Sequence, residues 1–410
     1  MSARYRAPRG TFDVLPAEAE QRSRVLRAAE ELFSRAGYGR IETPAFEETD
    51  LFRRGVGEAT DIVMKEMFSF EDQGGRELTL RPEGTAPICR AYVEHGMHKL
   101  PQPVKLWYAG PYFRHERPQA GRFRQFNQIG SEAIGSDSPL VDAESIALLD
   151  ELLRTLGVPG VRLRLGSLGS PEARAAYREE LRAYLRKHEG ELAPAVRQRI
   201  DLNPMRAFDS DDEATREVMA QAPTMLERLE GEDAEHFEEV RRLLDRAGVA
   251  YELDPTLVRG LDYYTRTVFE FTCDRLGAQS GVGGGGRYDG LVAELGGPET
   301  PGVGWAAGIE RILLALGEEP EVPGLDVFVA AAPNQRERAL AAVMELRRAG
   351  FRADLDLAGR SLKGQMKQAN RAGAARTVIL DEDGGAQLRD MDSGEQREIA
   401  LGGLVEELSR

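Results

Sequence analysis

Cysteine is almost absent from this 410-residue chain: Cys89 and Cys273 are the only two. That is too few for a disulfide framework or a cysteine-based zinc site, so a reducing, cytoplasmic setting is expected. Histidine is nearly as sparse. His95, His98, His115, His188 and His236 are scattered, and His95 and His98 have no further ligands close in sequence, so no zinc is expected. No apolar run approaches the roughly 20 residues of a membrane span. Met1 to Leu15 carries arginines with no apolar stretch behind them, so neither a membrane partner nor a secretory leader is expected. No Gly-x-Ser-x-Gly elbow or Cys/His pair offers a nucleophile. Positive charge is also short. The 54 Lys and Arg face 69 Asp and Glu, and the net charge of −15 argues against a generally basic nucleic-acid binder. It leaves room for a local basic surface.

Glycine, by contrast, is in excess: 44 of 410 residues, about 11% against a usual ~7%. The rest of the composition is ordinary for a globular protein, with 41% hydrophobic and 30% charged residues. Two or three domains of roughly 100–200 residues are expected from the length. There is no tandem repeat and no low-complexity tract.

Glu18 to Ala36 places Val25, Leu26, Ala29, Leu32 and Phe33 at helical spacing, and Gly37 suits a helix end. Arg40-Ile41-Glu42-Thr43-Pro44 reads as extended, because the residue before a proline is pushed out of the helical region. Met67–Phe70, Glu77–Leu80, Lys105–Phe113 and Phe123–Ile129 are strand candidates, with a hairpin turn at Gln73-Gly74-Gly75-Arg76. Strands this dense suggest an antiparallel sheet. Pro139 to Leu156 is an amphipathic helix ended by Gly157. From about Ser170 to Gly248 the chain is helical, charged and poor in glycine, and most acidic between Glu227 and Asp245. This reads as an inserted helical module, either a solvated surface or an arm that grips substrate.

Strand-and-glycine texture resumes at Tyr251, with a strand at Val268–Thr272 and the run Gly281, Gly283, Gly284, Gly285, Gly286 and Gly290. Gly302-Val303-Gly304-Trp305 leads into an apolar helix ending near Leu316. Beyond a linker from Gly317 to Gly324, strands alternate with helices as in a small α/β domain.

Four segments could carry chemistry. Phe113 to Phe126 is two strand-like pieces joined by a Pro/Gly loop. Alternation puts Arg114 and Glu116 on one face, and Arg122, Arg124, Phe126 and Gln128 on another. Guanidinium groups beside an aromatic ring suit a nucleotide, while the plainer alternative is a charged edge strand. Arg81-Pro82-Glu83-Gly84-Thr85 could hold an ammonium group, or could simply cap a helix. In Leu257 to Thr265, Arg259 lies among apolar residues ahead of Tyr263 and Tyr264; its alternative is a structural pair with Asp262. Gly302 to Arg311 delivers Arg311 near a helix N-terminus, where anions are favoured. The Gly283–Gly286 run lacks the Gly-Lys-Ser/Thr ending of a P-loop, and suits close approach of a ligand to the backbone.

Taken in this order, the elements resemble the class II aminoacyl-tRNA synthetases over essentially the whole chain. The Pro44 unit, the Phe113–Phe126 hairpin and Gly302–Arg311 look like that class's motifs 1, 2 and 3. Leu257–Tyr264 and Gly285-Gly286-Arg287-Tyr288-Asp289-Gly290 are similar to the two peptides particular to the histidyl-tRNA synthetase family, and Arg81–Thr85 to a third. The fold so implied is α+β: a class II synthetase antiparallel sheet with flanking helices, a helical insertion, and a C-terminal α/β anticodon-binding domain. The expected boundaries are 1–169 and 249–320 for the two parts of the catalytic core, 170–248 for the insertion, and 325–410 for the anticodon-binding domain.

The resemblance implies histidine–tRNA ligase chemistry: ATP with Mg2+, L-histidine and tRNA(His) as partners, and a homodimer. It implies catalytic roles for Arg259 and Arg114, with Arg114 on the α-phosphate, Phe126 stacked on adenine, Glu116 and Arg122 in the same nucleotide site, and Arg311 on the far phosphate. Glu132 and Tyr264 would meet the ring nitrogens of histidine, and Tyr263 and Tyr288 would wall the pocket. Glu83, Thr85 and Gln128 would hold the α-amino and carboxylate groups, with Arg259 shared between substrates. Arg117, Gln119 and Arg124 would meet the tRNA acceptor end. Ala120 and Asn127 depart from the family, where a basic residue and a histidine are frequent.

Charge within the last segment fits the same resemblance. Arg336, Arg338, Arg347, Arg348, Arg352, Arg360, Lys363, Lys367, Arg371 and Arg376 outnumber Glu337, Glu345, Asp354 and Asp356. The final stretch, led by Asp381, Glu382 and Asp383, reverses the sign. The alternative from another class is a non-catalytic relative that regulates ATP phosphoribosyltransferase. Such regulators typically lack the last domain and lose motif residues, whereas here Arg114, Arg259 and Arg311 are intact. A synthetase for another amino acid is opposed by the Arg259–Tyr264 and Gly285–Gly290 peptides.

Overall fold

Pro16, whose missing N–H costs nothing in a first helical turn, opens α1 (Pro16–Arg35) in the computed structural model of the chain. The described residues are 5–57, 60–258, 260–277 and 280–409. Glu18 accepts the Leu15 N–H at 3.1 Å, and Val25, Ala29, Leu32 and Phe33 form the buried stripe. Past the helix, Gly37 takes the left-handed backbone (φ 75°) that ends such helices.

The chain continues through β1 (Gly39–Arg40), β2 (Phe46–Glu48), α2 (Thr49–Val56), β3 (Phe68–Glu71), β4 (Glu77–Leu80) and α3 (Thr85–Glu94). Next come β5 (Val104–Phe113), β6 (Gln125–Ile134), α4 (Pro139–Thr155) and β7 (Val161–Ser167). The helical stretch follows as α5 (Pro171–Lys187), α6 (Pro194–Arg197), α7 (Glu213–Met219) and α8 (Gly231–Ala247). Then come β8 (Glu252–Leu253), β9 (Thr265–Cys273), β10 (Gly281–Arg287), α9 (Leu291–Glu294), β11 (Gly302–Gly308) and α10 (Ile309–Leu316).

Eight strands build one sheet in the order β1-β5-β6-β11-β10-β9-β7-β8, antiparallel except at its two ends. A smaller antiparallel sheet, β2-β4-β3, carries the hairpin read at Gln73–Arg76. On the large sheet, Trp107, Ile129, Trp305, Phe269 and Phe271 share one buried cluster with α1, α4, α8 and α10. Val240 and Leu244 of α8 are fully buried in that cluster. Tyr177, Leu181 and Leu185 of α5 belong to a second cluster, which also holds Tyr108, Tyr263, Tyr264 and Tyr288 from the opposite face. The inserted helices are thus packed into the cores on both sides of the sheet.

The strand after the hairpin loop is longer than its sequence pattern: Phe123–Ile129 reads as extended, and β6 runs on to Ile134. The glycine run also differs from its reading. Gly283 to Gly286 is the interior of β10, paired on both edges. Without side chains these residues give alternation nothing to show. Their lack of Cβ lets adjacent backbones close up: a Cβ on Gly285 would overlap the Gly304 carbonyl and lie 2.7 Å from the Trp305 Cα.

The chain divides into two compact units, at Pro320 and Glu321. The second has its own sheet, β13-β12-β14-β15-β16, from β12 (Val327–Ala331), β13 (Ala353–Leu355), β14 (Arg376–Leu380), β15 (Ala386–Asp390) and β16 (Gln396–Glu398). The three strands β13-β12-β14 are parallel, and β15 and β16 add antiparallel. Helices α11 (Arg336–Arg348), α12 (Leu362–Arg371) and α13 (Leu404–Leu408) cover it. This is the α+β organisation that the sequence implied. The tight β10–β11 contact is testable. Gly285→Ala pushes a methyl into backbone that cannot rotate away, so it should cost about 1–3 kcal/mol of stability in denaturant unfolding.

Candidate active site

Strand β6 sets the site. Its residues Phe126, Gln128, Gly130 and Glu132 lie on one face. Register places them beside Tyr112, Gly110, Tyr108 and Leu106 of β5, and the last three beside Gly308, Ala306 and Gly304 of β11. The floor on the β11 side therefore has almost no side chains. A Cβ on Gly304 would strike the Glu132 carboxyl, and one on Gly84 would lie 2.8 Å from the rings of Tyr108 and Tyr112. Glycine here makes room for a large polar cluster.

Glu132 is completely buried. The Thr85 hydroxyl donates to its Oε1 at 2.8 Å and Tyr108 at 3.4 Å, while Tyr288 donates to its Oε2 at 2.5 Å. Burial pushes the carboxyl up to about 8, against the pull of those hydroxyls and with Glu83 adding to the rise. Burial likewise raises the phenols of Tyr108, Tyr263 and Tyr288, so they stay neutral donors.

Glu83 takes the capping role the sequence offered. It caps α3, accepting the Thr85 N–H at 2.7 Å and the Ala86 N–H at 2.9 Å, and its Oε2 also accepts from Tyr263 at 3.4 Å. Burial raises its carboxyl, partly offset by those N–H groups and by the charge of Arg114. Tyr263 stands 4.7 Å from Tyr264 and 5.8 Å from Tyr288 between ring centroids. The Gln128 Oε1 is buried with no hydrogen-bond partner among the described residues. The structure thus brings Glu83, Thr85, Glu132, Tyr263, Tyr264 and Tyr288 into one pocket, with Gln128 on the adjoining floor.

The arginine-rich residues gather further along the same face. Arg114 donates to the Pro82 carbonyl at 2.8 Å and lies 5.5 Å over the Phe126 ring. Glu116 takes Arg122 at 3.1 Å and Arg114 at 3.8 Å. Arg311 donates to the Gly281 carbonyl, and burial together with the nearby charge of Arg122 lowers its guanidinium from the usual range. Two crowded cations in a recess favour an anion.

The hairpin loop itself is pinned from both sides. The Arg124 N–H donates to the Gly10 carbonyl at 2.7 Å, Phe12 packs on Phe123 at 4.4 Å, and the His115 N–H donates to the Glu66 carbonyl at 2.7 Å. Arg117 and Gln119 are exposed on this loop, whereas Arg124 turns inward to the Glu116 carbonyl at 3.4 Å. Asn127, which departs from the family pattern, holds Glu310 through its backbone and side chain, and Glu310 also takes Arg22 of α1 at 2.8 Å. Arg259 lies outside the described residues.

Three contributors escaped the sequence reading. Tyr108 reaches Glu132 only because of strand register. Arg81 is buried, donates to the carbonyls of Thr43, Pro44 and Pro111, and lies 4.7 Å over Tyr112, so it ties the small sheet to β5. Arg287 is fully buried against Asp142, with Asp289 at 3.0 Å and the carbonyls of Ser136 and Ser138. Strand alternation carried back from Arg114 through Tyr112 to Tyr108 was the signal available for the first of these.

The raised Glu132 carboxyl has a testable sign. Between the unfolded value of about 4.3 and the folded value of about 8, the folded state keeps a proton that the unfolded chain has released. This group's contribution to stability therefore falls as pH rises through that window, and levels off above it. Glu132→Gln has no such slope. Its unfolding free energy relative to the unaltered protein should rise from about pH 5 to about pH 8 in urea titrations; a constant difference would contradict the raised value.

Residues 10–312 match the family model for histidyl-tRNA synthetase, and residues 326–410 match that for the anticodon binding domain. The chain is 50% identical to a histidine–tRNA ligase of Rubrobacter xylanophilus, over 97% of each, and 49% identical to one of Desulforudis audaxviator, over 98% of each. Its fold matches the apo histidyl-tRNA synthetase of S. aureus with a TM-score of 0.82 and 38% identity, over 99% of this chain and all of that one. With the sheet, its glycine floor and the pocket upon it, these likenesses show that the chain belongs to the histidyl-tRNA synthetase family of class II aminoacyl-tRNA synthetases.

Proposed function

We infer that the buried Glu132 pocket takes histidine and the arginine-lined recess beside it takes ATP. The chain is a histidine–tRNA ligase: it joins L-histidine to ATP, then transfers the histidyl group to tRNA(His). The observation that carries the site assignment is a dry carboxyl ringed by three hydroxyls at one end of a face whose other end is cationic. An imidazole needs polar partners for both ring nitrogens, and a pocket whose buried groups would otherwise stay unpaired rejects analogues strongly. Glu132 and Tyr264 are those partners in this reading, with Tyr263 and Tyr288 as walls. Glu83, Thr85 and Gln128 orient the amino and carboxylate groups.

In the first step a histidine carboxylate oxygen bonds to the α-phosphorus, and the bond from that phosphorus to the β-phosphate oxygen breaks, releasing pyrophosphate. Charge accumulating there is met by cations fixed beforehand. We assign Arg114 and Arg259 to the α-phosphate, with Arg259 also on the histidine carboxylate. Arg311 holds the far phosphate, Phe126 stacks on adenine, and Glu116 with Arg122 completes the nucleotide site. ATP enters as its magnesium complex, the ion counted with the substrate. In the second step the terminal ribose hydroxyl of tRNA attacks the histidyl carbonyl and AMP leaves. Arg117, Gln119 and Arg124 belong to the loop assigned to the acceptor end.

The second unit is assigned to the anticodon. In it Arg347, Arg352 and Arg360 pair with Asp354, Asp326 and Asp356, whereas Lys363, Lys367 and Arg371 recur every fourth residue along the exposed side of α12. That stripe supports docking of RNA phosphates. A homodimer is supported by Phe46 and Phe70, a ring pair 6.3 Å apart and about half exposed on the small sheet. Two buried free thiols agree with a cytoplasmic setting.

Pyrophosphate exchange measured with each of the twenty amino acids should respond to histidine alone. Arg259→Ala should cut that exchange by at least about a hundredfold in a folded protein; near-normal exchange would remove Arg259 from the chemistry. Deleting residues 325–410 should spare exchange and weaken charging of tRNA(His). Unimpaired charging would overturn the anticodon assignment.

A further inference from the structure

Helix α8 carries two buried polar side chains one turn apart, Asp233 and His236. Asp233 bridges the start of the inserted segment, at Ser170, and the start of β9, at Arg266. Its Oδ2 accepts the Ser170 N–H at 2.8 Å, and its Oδ1 accepts from the Arg266 Nε at 3.2 Å. Arg266 is the one non-glycine residue with positive φ (46°) among the described residues. A side chain avoids this backbone conformation unless its surroundings hold it there. The Arg266 backbone is also tied, donating to Gly169 and accepting from Leu168, both at 2.7 Å. Tyr264 and Tyr263 immediately precede this segment, and the Thr265 hydroxyl between them and Arg266 accepts the Asp289 N–H at 3.3 Å.

The second residue reaches the other side of the pocket. His236 Nε2, buried and without a hydrogen bond among the described residues, packs 3.5 Å from Asp142 Oδ2, and Asp142 engages the fully buried guanidinium of Arg287. The next residue is Tyr288, whose N–H donates to Gly302 at 2.7 Å and whose hydroxyl donates to Glu132 at 2.5 Å. One turn of α8 is therefore linked, through a single arginine on each side, to both tyrosine segments that wall the pocket.

We propose that Asp233 and His236 are positioning residues: through Arg266 and through Asp142–Arg287, the inserted segment sets Tyr263, Tyr264 and Tyr288 and so tunes selection of histidine. This rests on the reading of the Glu132 pocket as the histidine site. Neither residue touches substrate. Each holds a backbone segment whose neighbouring side chains do, and displacement of such groups by even a fraction of an ångström weakens binding. In the same reading most ATP contacts (Arg114, Glu116, Arg122, Phe126 and Arg311) lie on the hairpin and on α10, and Arg259 alone is shared between the substrates, so the effect falls mainly on histidine.

The test is steady-state pyrophosphate exchange with the full chain, reading KM for histidine and for ATP separately. Asp233→Ala should raise the histidine KM about tenfold and leave the ATP KM within about twofold. Adding Arg266→Gly should restore much of the loss, because glycine takes φ 46° without being held. His236→Leu, which fills similar volume, gives an independent second reading and should shift the histidine KM in the same direction. Unchanged histidine KM in folded variants, an equal rise in both constants, or a double variant no better than Asp233→Ala would overturn the proposal. Absence of histidine-dependent exchange in the unaltered protein would instead overturn the assignment of the pocket on which it rests.

Discussion

A carboxyl group with no access to water, Glu132, is the constraint around which the catalytic unit is arranged. Burying it is unfavourable unless its oxygens are occupied, and Thr85, Tyr108 and Tyr288 occupy them from three different elements. Those three must reach one point above a sheet, so the sheet beneath must be thin. Gly304 in the neighbouring strand, Gly84 ahead of α3 and Gly302 beneath Tyr288 each leave a space that a Cβ would fill. These three glycines are in this sense a consequence of the polar cluster. A polar cluster this well packed cannot relax, and it loses its value if one member moves.

The same arrangement resolves the conflict between an acidic protein and two anionic substrates. The charge of −15 is a sum over the surface, whereas phosphate responds to the field at short range. Arg114, Arg122 and Arg311, the arginines proposed for ATP, are gathered on one face, and Glu116 spaces the first two apart. Screening by salt is weak there. In the second unit the carboxylates near β13 neutralise some arginines and leave the α12 stripe as the basic surface.

What the sequence disclosed follows from range. Helices with a strong apolar period were readable almost to the residue: Pro139–Leu156 is found as Pro139–Thr155. The hairpin arginines were legible from their density rather than from alternation, since β5 ends at Phe113 and β6 begins at Gln125, and only Phe126 and Gln128 share a strand face as read. Glu83 and Thr85 were legible as a local pattern, but that pattern fits a helix cap and a ligand equally well; the structure shows the cap, together with a contact from Tyr263. Tyr108 was not legible, since its partnership with Glu132 depends on β5–β6 register. Nor was the role of Arg287, whose partner Asp142 lies 145 residues away. The Gly283–Gly286 strand was hidden for the opposite reason, as it has no side chains to pattern.

Range also explains why the peptide segments are more informative than their own contacts suggest. Arg287-Tyr288-Asp289 sends a guanidinium to Asp142 of α4 and a phenol to Glu132 of β6, so one short stretch ties the helix side of the sheet to the Glu132 cluster. Replacing the arginine would leave Asp142 buried without its main partner, and the strand end carrying Tyr288 would then follow whatever arrangement relieved that charge. If the Glu132 cluster is the histidine site proposed above, it discriminates through rigidity. Its specificity belongs to the pairs that hold the tyrosines still as much as to the tyrosines themselves.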